Sequence, residues 1–163
     1  MAQFEPAVLI TLRHEGGFLH NELTGEIVNH GVTLQFVRSS GYKPDADEDF
    51  IRNLSTTEAS AIYRTYFWNR CHIGRIDDQS LANKTFDLTV NMGPEALKLL
   101  QSAGHCAMDG ILGPISLASI NALDPVQLLA DYKELAARRY KQIAAANPNL
   151  TGDLAAWLAR LNS

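Results

Sequence analysis

The stretch DPVQLLADYKELAARRYKQIAAANP, residues 124–148, constrains the fold more than any other part of the chain. Asp124 is placed to cap a helix and Pro125 to occupy its first turn, where its missing amide proton costs nothing. Leu128, Leu129, Tyr132, Leu135, Ala136 and Tyr140 then recur in helical phase, so one long face must be covered by other elements. The same grammar recurs elsewhere. Pro94 opens and Gly104 closes PEALKLLQSAG, and Pro114 opens another helix after the Asp109-Gly110 turn. Ser55 and Glu58 in STTEASAIYRTYFWN have capping-box spacing, with Ala59, Ile62, Tyr63 and Tyr66 on one face. A further helix is expected through SLANKTFDLTVNMG. A last one is expected in DLAAWLARL, with a stripe of Leu154, Trp157, Leu158 and Leu161.

At the N-terminus, Phe4, Val8 and Leu12 predict a helix over about residues 4–16, stopped by Gly16-Gly17. Helical phase is then lost from Phe18 to Thr33, where Asn21, Thr24, Gly25, Asn29 and Gly31 punctuate short apolar pieces and suit turns or a small hairpin. LQFVRSSG reads as a short helix and YKPDADEDF as a polar, acidic loop. The fold class is therefore mostly α with a small β or irregular element near residues 18–33. A seam at NMGP, residues 91–94, divides the chain into segments 1–91 and 92–163, packed as one compact unit.

A chain of 163 residues buries about two thirds of its unfolded surface and needs no metal or disulfide staple. Its net charge of -4 supplies no basic surplus for phosphates, which argues against nucleic acid and leaves a neutral polymer open. No run approaches the roughly 20 apolar residues of a membrane span. The start, MAQFEPAVLITLRHEGG, has no basic head before its apolar run, so synthesis in the cytoplasm without a recognisable signal peptide is expected. Cys71-His72 and His105-Cys106 lack the spacing of a zinc site; two reduced, buried thiols and no metal are expected.

The chemistry concentrates in LRHEGGFLHNELTGE, residues 12–26. Glu15 falls at a helix end, where unpaired carbonyls disfavour an anion; partial burial would act in the same direction. A carboxyl that keeps its proton suits protonation of a leaving glycosidic oxygen. The glycines after it turn the chain and clear room for a polymer, and Glu22 or Glu26 is available as a second carboxylate. The competing reading of Glu15 is a surface residue beside an ordinary glycine stop. His14, His20 and His30 crowd the same region. In the aromatic cluster Tyr63, Tyr66, Phe67 and Trp68, helical spacing favours packing, although Phe67 and Trp68 do not readily both point inward. Asp87 and Asn91 lie four apart on one helix face, where a structural role is the simpler reading.

HEGGF, NHGVT, FDLTVNMG and DGILGP follow one another in this order, and over nearly the whole chain they resemble the glycoside hydrolase family 108 lysozymes (N-acetylmuramidases) with a C-terminal predicted peptidoglycan-binding lobe. The resemblance implies a lysozyme-like helical fold, a catalytic lobe at 1–91 and a peptidoglycan-binding lobe at 92–163. It implies that Glu15 is the catalytic acid, that Asn29, Gly31 and Thr33 line its cleft, and that Thr33 holds the attacking water. Where the family carries an Asp-Pro-Gly-Gly loop this chain has ELTGE, so the second carboxylate is Glu26 by first choice and Glu22 by second. Glu22, Asn29, His30, Gly31 and Asn91 are the expected substrate contacts. The expected reaction cleaves the β-1,4 bond after N-acetylmuramic acid in a peptidoglycan glycan strand, without a cofactor. It would act on the cell wall after release, as in a phage or prophage endolysin. A lytic transglycosylase using the same acid, and a peptidoglycan-binding or secretion-assisting module without turnover, are the alternatives.

Overall fold

The computed structural model describes residues 1–163, with the side chain of Pro148 excepted. Helix α1 spans Phe4–His14, and three short antiparallel strands follow: β1 (Leu19–Asn21), β2 (Glu26–Asn29) and β3 (Val32–Thr33). Leu19 pairs with Val28 and Asn21 with Glu26; Val28 in turn pairs with Thr33. The β1–β2 turn is closed locally, since Asn21 accepts from the amides of Leu23 and Thr24 through Oδ1. The expected small β element is thus a three-stranded sheet.

The helices α2 (Leu34–Ser39), α3 (Glu48–Arg52) and α4 (Thr56–Tyr63) follow. The acidic stretch expected to be a loop contains α3, because Asp47 caps it by accepting from the Phe50 amide. Ser55 and Glu58 form the full capping box at the start of α4. Past Tyr63 the chain widens into a π-helical turn, Arg64–Asn69. That turn buries Trp68 while Phe67 stays half-exposed, which resolves the conflict between adjacent rings.

Helix α5 (Gln79–Met92) lies at the centre, packed on α1, α6 (Pro94–Ala103) and α8 (Pro125–Ala146), and α8 packs against α9 (Leu154–Leu161). Helix α7 (Pro114–Asn121) completes the set. The chain reverses between α5 and α6 at Gly93, whose φ of 65° is open to glycine without strain. One continuous core crosses that seam, from Phe4, Trp68 and Phe86 to Leu97, Leu100 and Tyr132. Phe4, Trp68 and Phe86 meet edge to face at 5.6–5.8 Å, and Tyr63 meets Phe86 at 6.0 Å. Each buried aromatic contributes about 1.5–3 kcal/mol by removal from water, and together they set α1 and the α4 turn against α5. Among the described residues no helix is long and apolar enough to cross a membrane.

Asn29 ties the sheet to the helices. Its side chain is 5% exposed, and Nδ2 donates to the carbonyls of Ile51, Arg52 and Leu54 at the end of α3. Asn29→Ala should leave those buried carbonyls short of a donor and cost about 1–3 kcal/mol. For a chain of this size that is a fall in Tm of about 3–10 °C, readable by thermal melting.

Candidate active site

Glu15 is not in the last turn of α1 but caps it, with φ −80° and ψ 135°, its amide donating to Thr11 O at 3.1 Å. The helix stops because Glu15 turns extended. Gly16 and Gly17 contribute no left-handed backbone, and a Cβ on either would meet nothing within 4 Å. The room that the carboxyl needs is made elsewhere in the fold. The His30 amide donates to Gly16 O at 3.1 Å, which brings the β2–β3 turn against the end of α1. Gly31 follows with φ 73°, and a Cβ there would stand 2.5 Å from Glu15 Oε2 and 2.5 Å from the Tyr63 hydroxyl oxygen. Only glycine fits on both counts. Tyr63 donates its hydroxyl to His30 O at 2.8 Å. Burial, and then the Glu15 charge, push its phenol far above the ordinary value, so it stays a protonated donor.

The other carboxylate oxygen, Glu15 Oε1, accepts from Arg160 Nη2 at 2.7 Å. Arg160 comes from α9 and is only 10% exposed, against 18% for Glu15. It is held by Asp87 of α5, which is fully buried: Nε lies 3.2 and 3.1 Å from Oδ1 and Oδ2, and Nη2 lies 2.9 Å from Oδ1. Thr11 Oγ1 donates to the same Oδ1, and His14 Nδ1 lies 3.0 Å from it. Burial by itself would raise the Asp87 carboxyl; the hydrogen bonds and charge of Arg160, with His14 behind them, outweigh it and hold the group below its ordinary value. Lys84 sits 3.9 Å from Asp87 Oδ2 and donates to the carbonyls of Arg160 and Ser163. Burial pushes its ammonium down to about 8 despite that carboxylate. The charge at the end of α1 is therefore balanced by a guanidinium that the helix-end argument did not include.

The expected site residues divide into two groups. Gly31 and the backbone of His30 stand against Glu15. Thr33 caps α2, with Oγ1 accepting from the Phe36 amide at 3.0 Å, and lines a depression of about 200 Å³ with Gly31, Tyr63 and Phe67. Thr33 also lines a second depression of about 520 Å³, shared with Glu26. Glu26 is exposed on β2 and Glu22 is exposed in the hairpin turn; no hydrogen bond or ion pair among the described residues joins either to Glu15. Asn29 faces α3, as described. Asn91 accepts from the Tyr140 hydroxyl at 2.6 Å and lines a third depression, of about 450 Å³, with His14, Trp157, Arg160 and Ser163. Trp157 stacks on Tyr140 with centroids 5.2 Å apart. His20 lies by Glu48, away from this group. Both thiols are free and half-buried rather than buried, and burial raises that of Cys71.

Glu15 thus stands between two depressions. Its partner Arg160 lines one, and its neighbours Gly31 and Tyr63 line the other. A half-buried carboxyl with Oε1 on Arg160 and Oε2 against Gly31 can exchange a proton with an oxygen of a bound chain only as the guanidinium yields its hold. Arg160 is absent from the sequence reading of the site, and Tyr63, read there as a packing aromatic, also stands beside the carboxyl. The signal for Arg160 was a single cation three residues after Trp157, inside an otherwise apolar helix.

The family model described as Glycosyl hydrolase 108 matches residues 8–93. That match supports a glycoside hydrolase with peptidoglycan as its substrate class. The solved structure of Brucella abortus SagA is similar over 97% of this chain and 92% of that one, at a TM-score of 0.77 and 21% identity, a likeness of fold. No curated protein matches the chain.

Asp87→Asn should leave Arg160 and Lys84 without their buried counter-charge and cost about 3–5 kcal/mol near neutral pH. Because the folded carboxyl titrates below its ordinary 3.8, Asp87 stabilises the wild type above that value. The stabilisation is lost as pH falls through the lower folded value. Urea midpoints should therefore differ widely at neutral pH and converge below it, as the wild-type carboxyl takes up its proton.

Proposed function

We propose that this chain, which belongs to glycosyl hydrolase family 108, is a lysozyme-type peptidoglycan hydrolase. Its reaction is cleavage of the β-1,4 bond between N-acetylmuramic acid and N-acetylglucosamine, with Glu15 as the general acid. The observation that carries this reading is the placement of Glu15 Oε2 against Gly31 and Tyr63 while Oε1 is held by Arg160. Glu15 passes its proton to the glycosidic oxygen as the bond to the sugar C1 breaks, and water adds to C1 and loses a proton. Thr33 is the residue to orient that water. Its Oγ1 accepts from the Phe36 amide, which leaves the hydroxyl proton free to point into the depression. Glu26 shares a depression with Thr33, so it is the better second carboxylate than Glu22, at the hairpin turn.

Arg160 positions the acid without being committed to it. Its bond to Glu15 is a full ion pair when Glu15 is ionised and a weaker cation-to-neutral hydrogen bond when Glu15 is protonated. Its bidentate grip on Asp87 persists in either case. The guanidinium can therefore release Glu15 to the substrate and stay in place. Segment 92–163 supplies Arg160 and Trp157 to this site, and we assign it contact with the wall polymer.

The exposed position of Glu26 favours a second reading, a lytic transglycosylase, in which Glu15 alone serves and the muramyl 6-hydroxyl attacks in place of water. Product mass spectra decide between them: reducing ends are expected, and 1,6-anhydro ends would establish the second.

Glu15→Gln keeps the size of the side chain and an acceptor for Arg160. It should lower the lysis rate of purified peptidoglycan by about 10²–10⁴-fold, with wall binding retained; equal lysis by both proteins would remove Glu15 from the mechanism. Gly31→Ala places a methyl on the carboxyl and the phenol together. A displacement of about 1 Å should cost on the order of 10²-fold in the same assay.

A further inference from the structure

The depression lined by Gly31 and Tyr63 has Phe36 and Phe67 on its far side. Those two rings also line a larger groove, of about 570 Å³, between α2, the π-helical turn, the start of α6 and the loop at residues 110–112. Phe36, Tyr66, Leu97 and Ile111 form its walls, and Arg70 and His72 stand on it as well. Phe36 and Tyr66 meet edge to face at 5.6 Å, and Ile111 is 64% exposed without a covering element.

Three observations mark this groove as more than a packing defect. The π-helical turn Arg64–Asn69 moves the phase of its helix so that Tyr66, Phe67 and Arg70 all reach it. His72 then takes a left-handed conformation, φ 55°, which disfavours a residue with a Cβ by roughly 1–2 kcal/mol. Its Nδ1 lies 3.2 Å from Leu112 O and pins the opposite wall. Arg70 is exposed and has no carboxylate partner among the described residues, although Asp109 stands beside the loop. Asp109 is committed instead to Gln101 Nε2 at 2.7 Å and the Ile111 amide at 2.9 Å.

Volume and chemistry narrow the occupant. Grooves of roughly 300–1,000 Å³ hold whole ligand groups, so an acetamido substituent would leave most of this one empty. A sugar ring needs several polar partners around its hydroxyls, but the polar side chains on this groove, Ser39, Ser40, His72 and Thr89, are already set against the backbone carbonyls of Phe36, Val37, Leu112 and Thr85, and the rest of the lining is largely apolar with Arg70 as its cation. A short peptide with small apolar side chains and a carboxylate fits both features. We propose that the groove binds the anionic peptide branch attached to the lactyl group of the muramic sugar, with a carboxylate on Arg70 and the peptide's apolar side chains on Phe36, Tyr66 and Ile111. The proposal rests on the peptidoglycan reading above and makes this groove the determinant of preference for peptide-bearing over bare glycan.

Two measurements test it separately from that reading. In the first, kcat/KM is compared on peptide-bearing strands and on the same strands stripped by an amidase. Arg70→Gln, and independently Ile111→Ser on the opposite wall, should each lower the ratio of the two by about tenfold, and Arg70→Lys should restore part of it. An unchanged ratio in both variants overturns the proposal, whereas wild type that turns over neither substrate overturns the enzymatic reading instead. In the second, muramyl dipeptide is titrated against the whole chain and backbone amide shifts are followed by NMR. Shifts centred on Arg70, His72 and Ile111, weakened about tenfold when the carboxylate is amidated or Arg70 is Gln, support the proposal with or without turnover. Shifts confined to the surroundings of Glu15, or indifferent to amidation, overturn it.

Discussion

Asp87 and Arg160 form the contact on which the rest of the site depends. Asp87 is fully buried on the central helix, and its carboxylate receives Arg160 from α9 together with Thr11 and His14 from α1. Three helices far apart in sequence therefore converge on one charged group. Such a pair adds little net stability over an apolar contact of the same size, because taking both ions out of water offsets most of their attraction. Its contribution is geometric. A bidentate guanidinium has one orientation, and that orientation delivers the remaining donor to Glu15.

The second constraint is steric. Glu15 lies where α1, the β2–β3 turn and α4 approach one another, and the approach is possible because residue 31 has no side chain. Gly31 thus faces the carboxyl from the β2–β3 turn, Tyr63 from the end of α4, and Arg160 from the C-terminal helix. The segment matched by the family model ends at residue 93. Arg160 and Trp157 lie beyond that segment, and Arg160 reaches Glu15 because α8, packed on α5, carries α9 back to Asp87. The matched segment holds Glu15, but its electrostatic partner belongs to the part of the chain outside it.

Much of this was legible beforehand. Caps and helix starts were read correctly at Ser55, Pro94, Pro114 and Asp124, because these depend on neighbours within one turn. α3 was missed, since DADEDF is too short and polar to show a helical stripe. The place of Glu15 at the end of α1 is legible in the chain, but neither its charged partner nor the source of room for its carboxyl is. Arg160 offsets the helix-end penalty, and Gly31, not Gly16 or Gly17, makes room for the carboxyl.

The sequence by itself determined the helical class, the place of the β element, most helix boundaries and the candidate acid, since each is written in periodicity, capping or an ordered motif. Only the tertiary structure decided that Asn29 serves α3, that Asn91 serves Tyr140, that Glu26 and Thr33 share a depression, and that Arg160 meets Glu15 across 145 positions. The physical reason is the same in each case. A hydrogen bond or ion pair between distant segments leaves no periodic trace in the chain, because it depends on how whole helices pack and not on which residues lie within a turn of one another.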